Sequence, residues 1–225
     1  MKRIDPMAFT ERKHLLIFDL DGTLADTIAG IRDGVNLAME KYGYPSRSYE
    51  EIRLAIGNGA RLLIQRSMPK EVAENEKLVD RVLTDYDALY ETTYANCEVY
   101  EGMRETLTTL KKRGYTLAVL SNKQDYYVKE MTWALFGKEL FSFVAGQTDL
   151  PKKPNPTVPL MIAEQFGFSA RECVFIGDSE VDVKTAQNAG MTAVSCSWGY
   201  RERDLLIAAG TQAGGDRPLE LTELF

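Results

Sequence analysis

Apolar positions along this chain fall into short continuous runs, separated by stretches with helical spacing. Four runs read as strands buried on both faces: HLLIFDL (14–20), TLAVLSN (116–122), CVFIGD (173–178) and TAVSCSW (192–198). An unbroken apolar run bounded by turn residues is what a strand inside a parallel sheet needs, because helices cover it from both sides. Helical spacing marks 103–113, 125–136, 156–167 and 181–189, and FSFVAG (141–146) reads as a fifth strand. Strands alternating with helices predict right-handed βαβ units. The fold class is α/β, a Rossmann-like parallel sheet core with helices on both faces.

The interval from about 27 to 98 breaks that rhythm. IAGIRDGVNLAMEKYG, YEEIRLAIG, GARLLIQRSM and the acidic stretch from Lys70 to Tyr94 all read as helix, and no strand is evident. The expected organisation is an α/β core, residues 1–26 and 99–225, with a helical cap, 27–98, inserted after the first strand. Asp26 is expected to N-cap the first helix of that insertion.

With 225 residues, 44% hydrophobic and 27% charged, the chain has the balance of a soluble globular protein with a sizeable core. The net charge of −6 argues against a general binder of nucleic acid or anionic membrane. The N-terminal MKRIDPMAFTERKH has no apolar core of a targeting segment, and no apolar stretch reaches membrane-spanning length. Three widely spaced cysteines, Cys97, Cys173 and Cys196, suggest neither a disulfide framework nor a zinc knuckle. A cytoplasmic protein is the expectation, as a monomer or homodimer.

Three of the apolar runs end in polar groups: Asp19 and Asp21, then Ser121 and Asn122, then Asp178 followed by Asp182. Ligands of open parallel sheets bind beyond the carboxyl ends of the strands, so these groups are expected to converge. Lys153, in the loop LPKKPNP, adds a cation, with Lys152 beside it as a rival. Carboxylates gathered at one point call for a bound cation, and hard oxygen ligands favour Mg²⁺. Each element also has a plainer reading. Asp-Gly is a turn signal. An EF-hand loop counted from Asp19 fails, since Leu24 and Gly30 stand where glycine and glutamate are required. Ser121 and Asn122 could end a strand, Lys153 could be a solvated loop lysine, and Asp178 and Asp182 could charge a helix N-terminus. His14, the only histidine, precedes the first strand and has no expected role in catalysis.

Taken in order, DLDGT (19–23), Ser121-Asn122, Lys153-Pro154 and GDSEVD (177–182) resemble the four motifs of the haloacid dehalogenase-like superfamily of phosphatases. The resemblance implies that Asp19 is a nucleophile forming an aspartyl-phosphate, and that Asp21 is the general acid and then the base. It implies Mg²⁺ held by Asp19, the Asp21 carbonyl and Asp178, with Asp182 as a direct or more distant ligand. Ser121, Asn122 and Lys153 would bind the phosphoryl group. The second aspartate also argues against dehalogenation, which needs no acid for a departing halide.

The substrate implied is a small phosphorylated metabolite. IGNGARLLIQRSM (56–68) is similar to the cap of bacterial phosphoglycolate phosphatases, which would give Gly57, Asn58, Gly59 and Arg61, or Arg53, a part in binding a carboxylate. The same turn could simply join two helices. YEGMRETLTTLKKRGYTLAVLSNK and WGY (198–200) look like the same subgroup, apart from Glu101 where a proline is usual. The C-terminal GTQAGGDRPLELTELF lacks the usual apolar stretch, so a last edge strand is expected to be short or missing. Alternatives within the superfamily are a pyrophosphatase, nucleotidase, sugar phosphatase or β-phosphoglucomutase-like phosphotransferase. A non-catalytic binding module would have lost a nucleophile, acid or ligand, and none is lost here.

Overall fold

The computed structural model describes residues 12–225. Its central strand, β1 (Leu15–Phe18), is completely buried along its length. Each such side chain contributes about 1.5–3 kcal/mol relative to exposure, so this tetrapeptide anchors the sheet. Strands β4 (Thr116–Gln124), β5 (Phe143–Gln147), β6 (Cys173–Gly177), β7 (Thr192–Cys196) and β8 (Ala213–Gly215) complete a six-stranded sheet in the order β5-β4-β1-β6-β7-β8. Each pair of neighbouring strands in it is parallel. Two-residue strands β2 (Ala25–Asp26) and β3 (Glu98–Val99) form a separate two-stranded sheet that the sequence did not announce.

Alternation along β1 divides its side chains between two layers. Leu15 and Ile17 join Ile162 and Ala163 of α7 (Thr157–Gln165) and Val183, Ala186 and Ala189 of α8 (Glu180–Ala189) in one core cluster. Phe18 points the other way and meets Phe141 edge-on, 6.4 Å between centroids. Helices α5 (Met103–Lys112) and α6 (Asp125–Phe136) flank β4 in the chain.

The chain divides into two compact units, one running to Ala25 and resuming at Val99, the other Asp26–Glu98. The second holds α1 (Ile28–Lys41), α2 (Tyr49–Ala55), α3 (Ala60–Ser67) and α4 (Glu76–Tyr90) around a core that includes Ile31, Val35, Ile52, Ile64, Val79 and Val82. Its acidic stretch is not helical from Lys70: α4 begins only at Glu76, where Asn75 accepts the Leu78 N–H at 3.2 Å. The N-cap of α1 is Thr27, not Asp26, although the Asp26 carboxylate accepts the Ile28 N–H at 3.1 Å from one position earlier. The last edge strand exists but has only three residues. It is followed by α10 (Leu221–Leu224), while α9 (Arg203–Ala208) precedes it.

The expectation about a targeting segment rests largely on residues 1–11, outside the described residues. Among those described, no helix is long and apolar enough to cross a membrane. His14 stacks on Phe168 with centroids 5.4 Å apart and lies 3.9 Å from Glu172, a packing role at the start of β1.

Candidate active site

Register is what brings the site together. Phe18 pairs with Val119 of β4 and with Ile176 of β6. Asp19 therefore leaves the sheet beside the ends of both neighbours, close to Ser121 and Asp178, and its N–H donates to the Ile176 carbonyl at 2.9 Å. Ligand oxygens of Asp19, Asp178 and Asp182 lie within 4.8 Å of one another, all three residues buried.

Such a cluster of buried carboxylates is costly. Burial pushes Asp19 up to about 6; Lys153 opposes this, and the carboxylates of Asp182 and Asp21 add to it. Asp178 is pushed well above the ordinary carboxylate range, first by burial and then by Asp182 and Asp19, against the Tyr200 N–H that donates to its Oδ2 at 2.7 Å. Two ammonium groups lie against these carboxylates. Lys153 Nζ lies 2.7 Å from Asp182 Oδ1 and 3.0 Å from Asp19 Oδ2, and Lys123 Nζ lies 2.7 Å from Asp21 Oδ1. Burial disfavours the Lys153 ammonium, but Asp182 and Asp19 more than offset this and hold its pKa above the usual lysine value. Asp19, Asp178 and Asp182 present carboxylate oxygens to one point. That all-oxygen donor set fits a hard divalent cation.

Each side chain is held by its surroundings. The Asp19 carboxylate accepts the Leu20 N–H at 2.7 Å on Oδ1. Asp182 forms a capping box at the start of α8: its Oδ2 accepts the Ser179 N–H at 3.1 Å and the Ser179 hydroxyl at 2.6 Å, while its Oδ1 accepts Lys153. Asn122 spans to the lysine loop, with Oδ1 accepting the Lys153 N–H at 2.8 Å and Nδ2 donating to the Lys153 carbonyl at 3.0 Å. Ser121 is buried beside it. Lys153, not the exposed Lys152, is the buried cation. Gly22 turns the first loop with φ of 79°, and a Cβ there would stand 2.3 Å from Asp178 Oδ2.

The glycine-rich turn belongs to the helical unit. Gly57 and Gly59 have positive φ, and Gly59 precedes α3. Arg61 Nε pairs with Asp80 Oδ1 at 3.0 Å, and Arg53 Nε with Glu50 Oε2 at 2.9 Å.

Two parts of the site were not singled out from sequence. Lys123 follows the SN pair, and a lysine at a strand end ordinarily reads as solvated. The WGY segment drew notice only as a likeness, yet it supplies the Tyr200 N–H to Asp178 and a Trp198 Nε1 bond to the Thr23 carbonyl at 3.1 Å.

Over residues 16–196 the chain matches the family model described as haloacid dehalogenase-like hydrolase. It is 30% identical over 204 residues to phosphoglycolate phosphatase 1 of Pseudomonas aeruginosa, covering 89% of this chain and 75% of that protein. With the phosphoglycolate phosphatase of Haemophilus influenzae it shares 35% identity over 195 residues, 83% of this chain and 86% of the relative. Among solved structures, one described as a predicted phosphoglycolate phosphatase from Haemophilus somnus is similar with a TM-score of 0.85. Its identity is 28%, over 95% of this chain and 98% of that one.

Proposed function

The chain belongs to the haloacid dehalogenase-like hydrolases, and on that premise we propose that it hydrolyses a small phosphate monoester through an aspartyl-phosphate on Asp19, with 2-phosphoglycolate as substrate. The observation that carries the mechanism is the separation of two acids within one short loop. Asp19 sits in the buried carboxylate cluster with Lys153, while Asp21 is held by a different cation, Lys123. Two carboxylates in different surroundings can take different roles.

In the first step Asp19 attacks phosphorus, the bond from phosphorus to the ester oxygen breaks, and Asp21 delivers a proton to the departing alkoxide. In the second, Asp21 takes a proton from water, the hydroxide attacks phosphorus, and Asp19 leaves as a free carboxylate. The same group thus returns to its starting state. Asp19, Asp178 and the Asp21 carbonyl would hold Mg²⁺, which would supply the charge that lets a carboxylate approach an anionic phosphate. Lys153 adds a fixed positive charge beside Asp19, and Ser121 offers a hydroxyl to the phosphoryl oxygens. Asn122 and Asp182 act on Lys153: one clamps its backbone, the other its ammonium.

The similarity to phosphoglycolate phosphatases supports the choice of ester. We assign that choice to the helical unit, Asp26–Glu98, and within it to the N–H groups that follow Gly57, Asn58 and Gly59. Arg61 already has a partner in Asp80, which leaves it the lesser share.

The test is phosphate release, with and without Mg²⁺, over 2-phosphoglycolate, sugar phosphates, nucleoside monophosphates and pyrophosphate. A preference for 2-phosphoglycolate that vanishes without Mg²⁺ is expected. Mg²⁺-dependent activity directed elsewhere keeps the core chemistry and removes the assignment of the ester.

A further inference from the structure

Lys123 reaches across 102 positions of chain to place its ammonium 2.7 Å from Asp21 Oδ1. The two side chains are only 8% and 14% exposed. A lysine in this setting has given up most of its hydration and much of its rotamer freedom, a loss that a direct ion pair has to offset.

The local backbone is built to make the contact. β4 stays extended past the SN pair to Gln124, with a register shift between Leu120 and Gln124. The Lys123 N–H donates to the Ser121 hydroxyl at 3.4 Å. On the other side, Gly146 of β5 lies so close that a Cβ would stand 2.4 Å from the Lys123 carbonyl oxygen, and the Gly146 N–H is taken by Asp125 Oδ1 at 3.0 Å. The segment is pinned between Ser121 and Gly146, and the irregularity in the strand sets where the lysine leaves it.

Asp21 needs such a partner. A carboxylate that must serve a leaving oxygen and later a water has two rotatable bonds to control, and displacement by an ångström can cost about 10²-fold in rate. We propose that Lys123 is the positioning residue for Asp21, fixing the carboxylate through its contact with Oδ1. This rests on the reading of Asp21 as acid and base given above. Lys123 acts only through Asp21.

The experiment is steady-state hydrolysis of p-nitrophenyl phosphate at saturating Mg²⁺ by the full chain and four variants: Lys123→Met, Lys123→Arg, Asp21→Asn, and Lys123→Met combined with Asp21→Asn. Lys123→Met is expected to lower kcat about 10²-fold with KM changed by less than about threefold. Lys123→Arg, which keeps a cation, recovers kcat to within about tenfold of wild type. Adding Lys123→Met to Asp21→Asn changes the residual kcat by less than about twofold, because the group it orients is already gone. Wild-type kcat in Lys123→Met overturns the proposal. So do losses that multiply in the double variant, or a rise in KM at constant kcat, since either places Lys123 on the substrate itself. Full activity of Asp21→Asn removes the acid–base reading instead, and that result needs no Lys123 variant. Where a thermal melt shows that Lys123→Met does not fold, Lys123→Gln takes its place in the same comparison.

Discussion

Lys153 Nζ meets Asp182 Oδ1 at 2.7 Å with both side chains 2% exposed, and the same ammonium lies 3.0 Å from Asp19 Oδ2. One cation thus serves the proposed nucleophile and the carboxylate that opens α8. Breaking a buried pair by removing one partner costs about 3–5 kcal/mol, because the remaining charge stays buried without compensation. Lys153→Met is expected to lose stability on that scale in urea unfolding and to lose most phosphate release. Lys152→Met, at the exposed neighbour, keeps both at wild-type levels. Equal effects of the two substitutions would remove the assignment of the buried cation.

The carboxylate cluster makes a prediction about pH. In the unfolded chain Asp19 and Asp178 titrate near the ordinary carboxylate value, about 4. Folding raises Asp19 to about 6 and Asp178 well above its ordinary value. The folded chain therefore binds more protons in that window. The contribution of these groups to stability is full below about pH 4 and is lost as pH rises through about 6 and beyond. A divalent cation bound to the ionised carboxylates reverses the loss. The gain in Tm on adding Mg²⁺ is expected to be larger at about pH 7.5 than at about pH 5. A gain independent of pH, measured in paired melts, would separate metal binding from these two residues.

Asp19 and Asp178 share the cluster but have different proposed roles, so their amides are expected to fail differently. Asp19→Asn removes the proposed nucleophile and is expected to lower kcat by about 10³-fold or more at any Mg²⁺ concentration. Asp178→Asn leaves Asp19 in place and is expected to raise the Mg²⁺ concentration needed for half activity by about tenfold or more. Both variants also relieve charge repulsion in the metal-free fold and melt no lower than wild type without Mg²⁺. Phosphate release near the wild-type rate from Asp19→Asn, or an unchanged Mg²⁺ titration for Asp178→Asn, would refute the corresponding role.

The strands that frame this chemistry were legible because each is a continuous apolar run, and the motif acids stand where those runs stop. β8 was not, because Ala213-Gly214-Gly215 carries almost no side chain in which a period could show. The start of α4 was misplaced for a related reason: charged residues through 70–75 fit a helix by composition, and the Asn75 cap that stops them is a single residue. Lys123, Asn122 and Asp182 show the limit for the site. All lie in or beside recognised motifs, but their work depends on partners far away in the chain or on the carboxylate oxygen each donor selects. Asn122 bonds a backbone 31 positions on, and Asp182 is filled by Ser179 and Lys153. Spacing carries no record of such pairing.

Gly22 tests whether the first loop must lie against Asp178. Its φ of 79° costs an L-residue with a Cβ about 1–2 kcal/mol before any contact is counted. The added methyl would also stand 2.3 Å from Asp178 Oδ2 and 2.8 Å from Tyr200 Cδ2, so the carboxylate or the WGY segment has to move. Movement of Asp178 weakens its bond from the Tyr200 N–H, and with it the geometry proposed for Mg²⁺. Gly22→Ala is therefore expected to lose about 2–4 kcal/mol in urea unfolding and to shift Mg²⁺ activation in the same direction as Asp178→Asn. A stable variant with an unshifted Mg²⁺ titration would mean that the loop yields without disturbing the carboxylate. A variant that loses stability but binds Mg²⁺ normally would place the strain in the backbone alone. Only the joint loss ties the turn to the metal role proposed for Asp178.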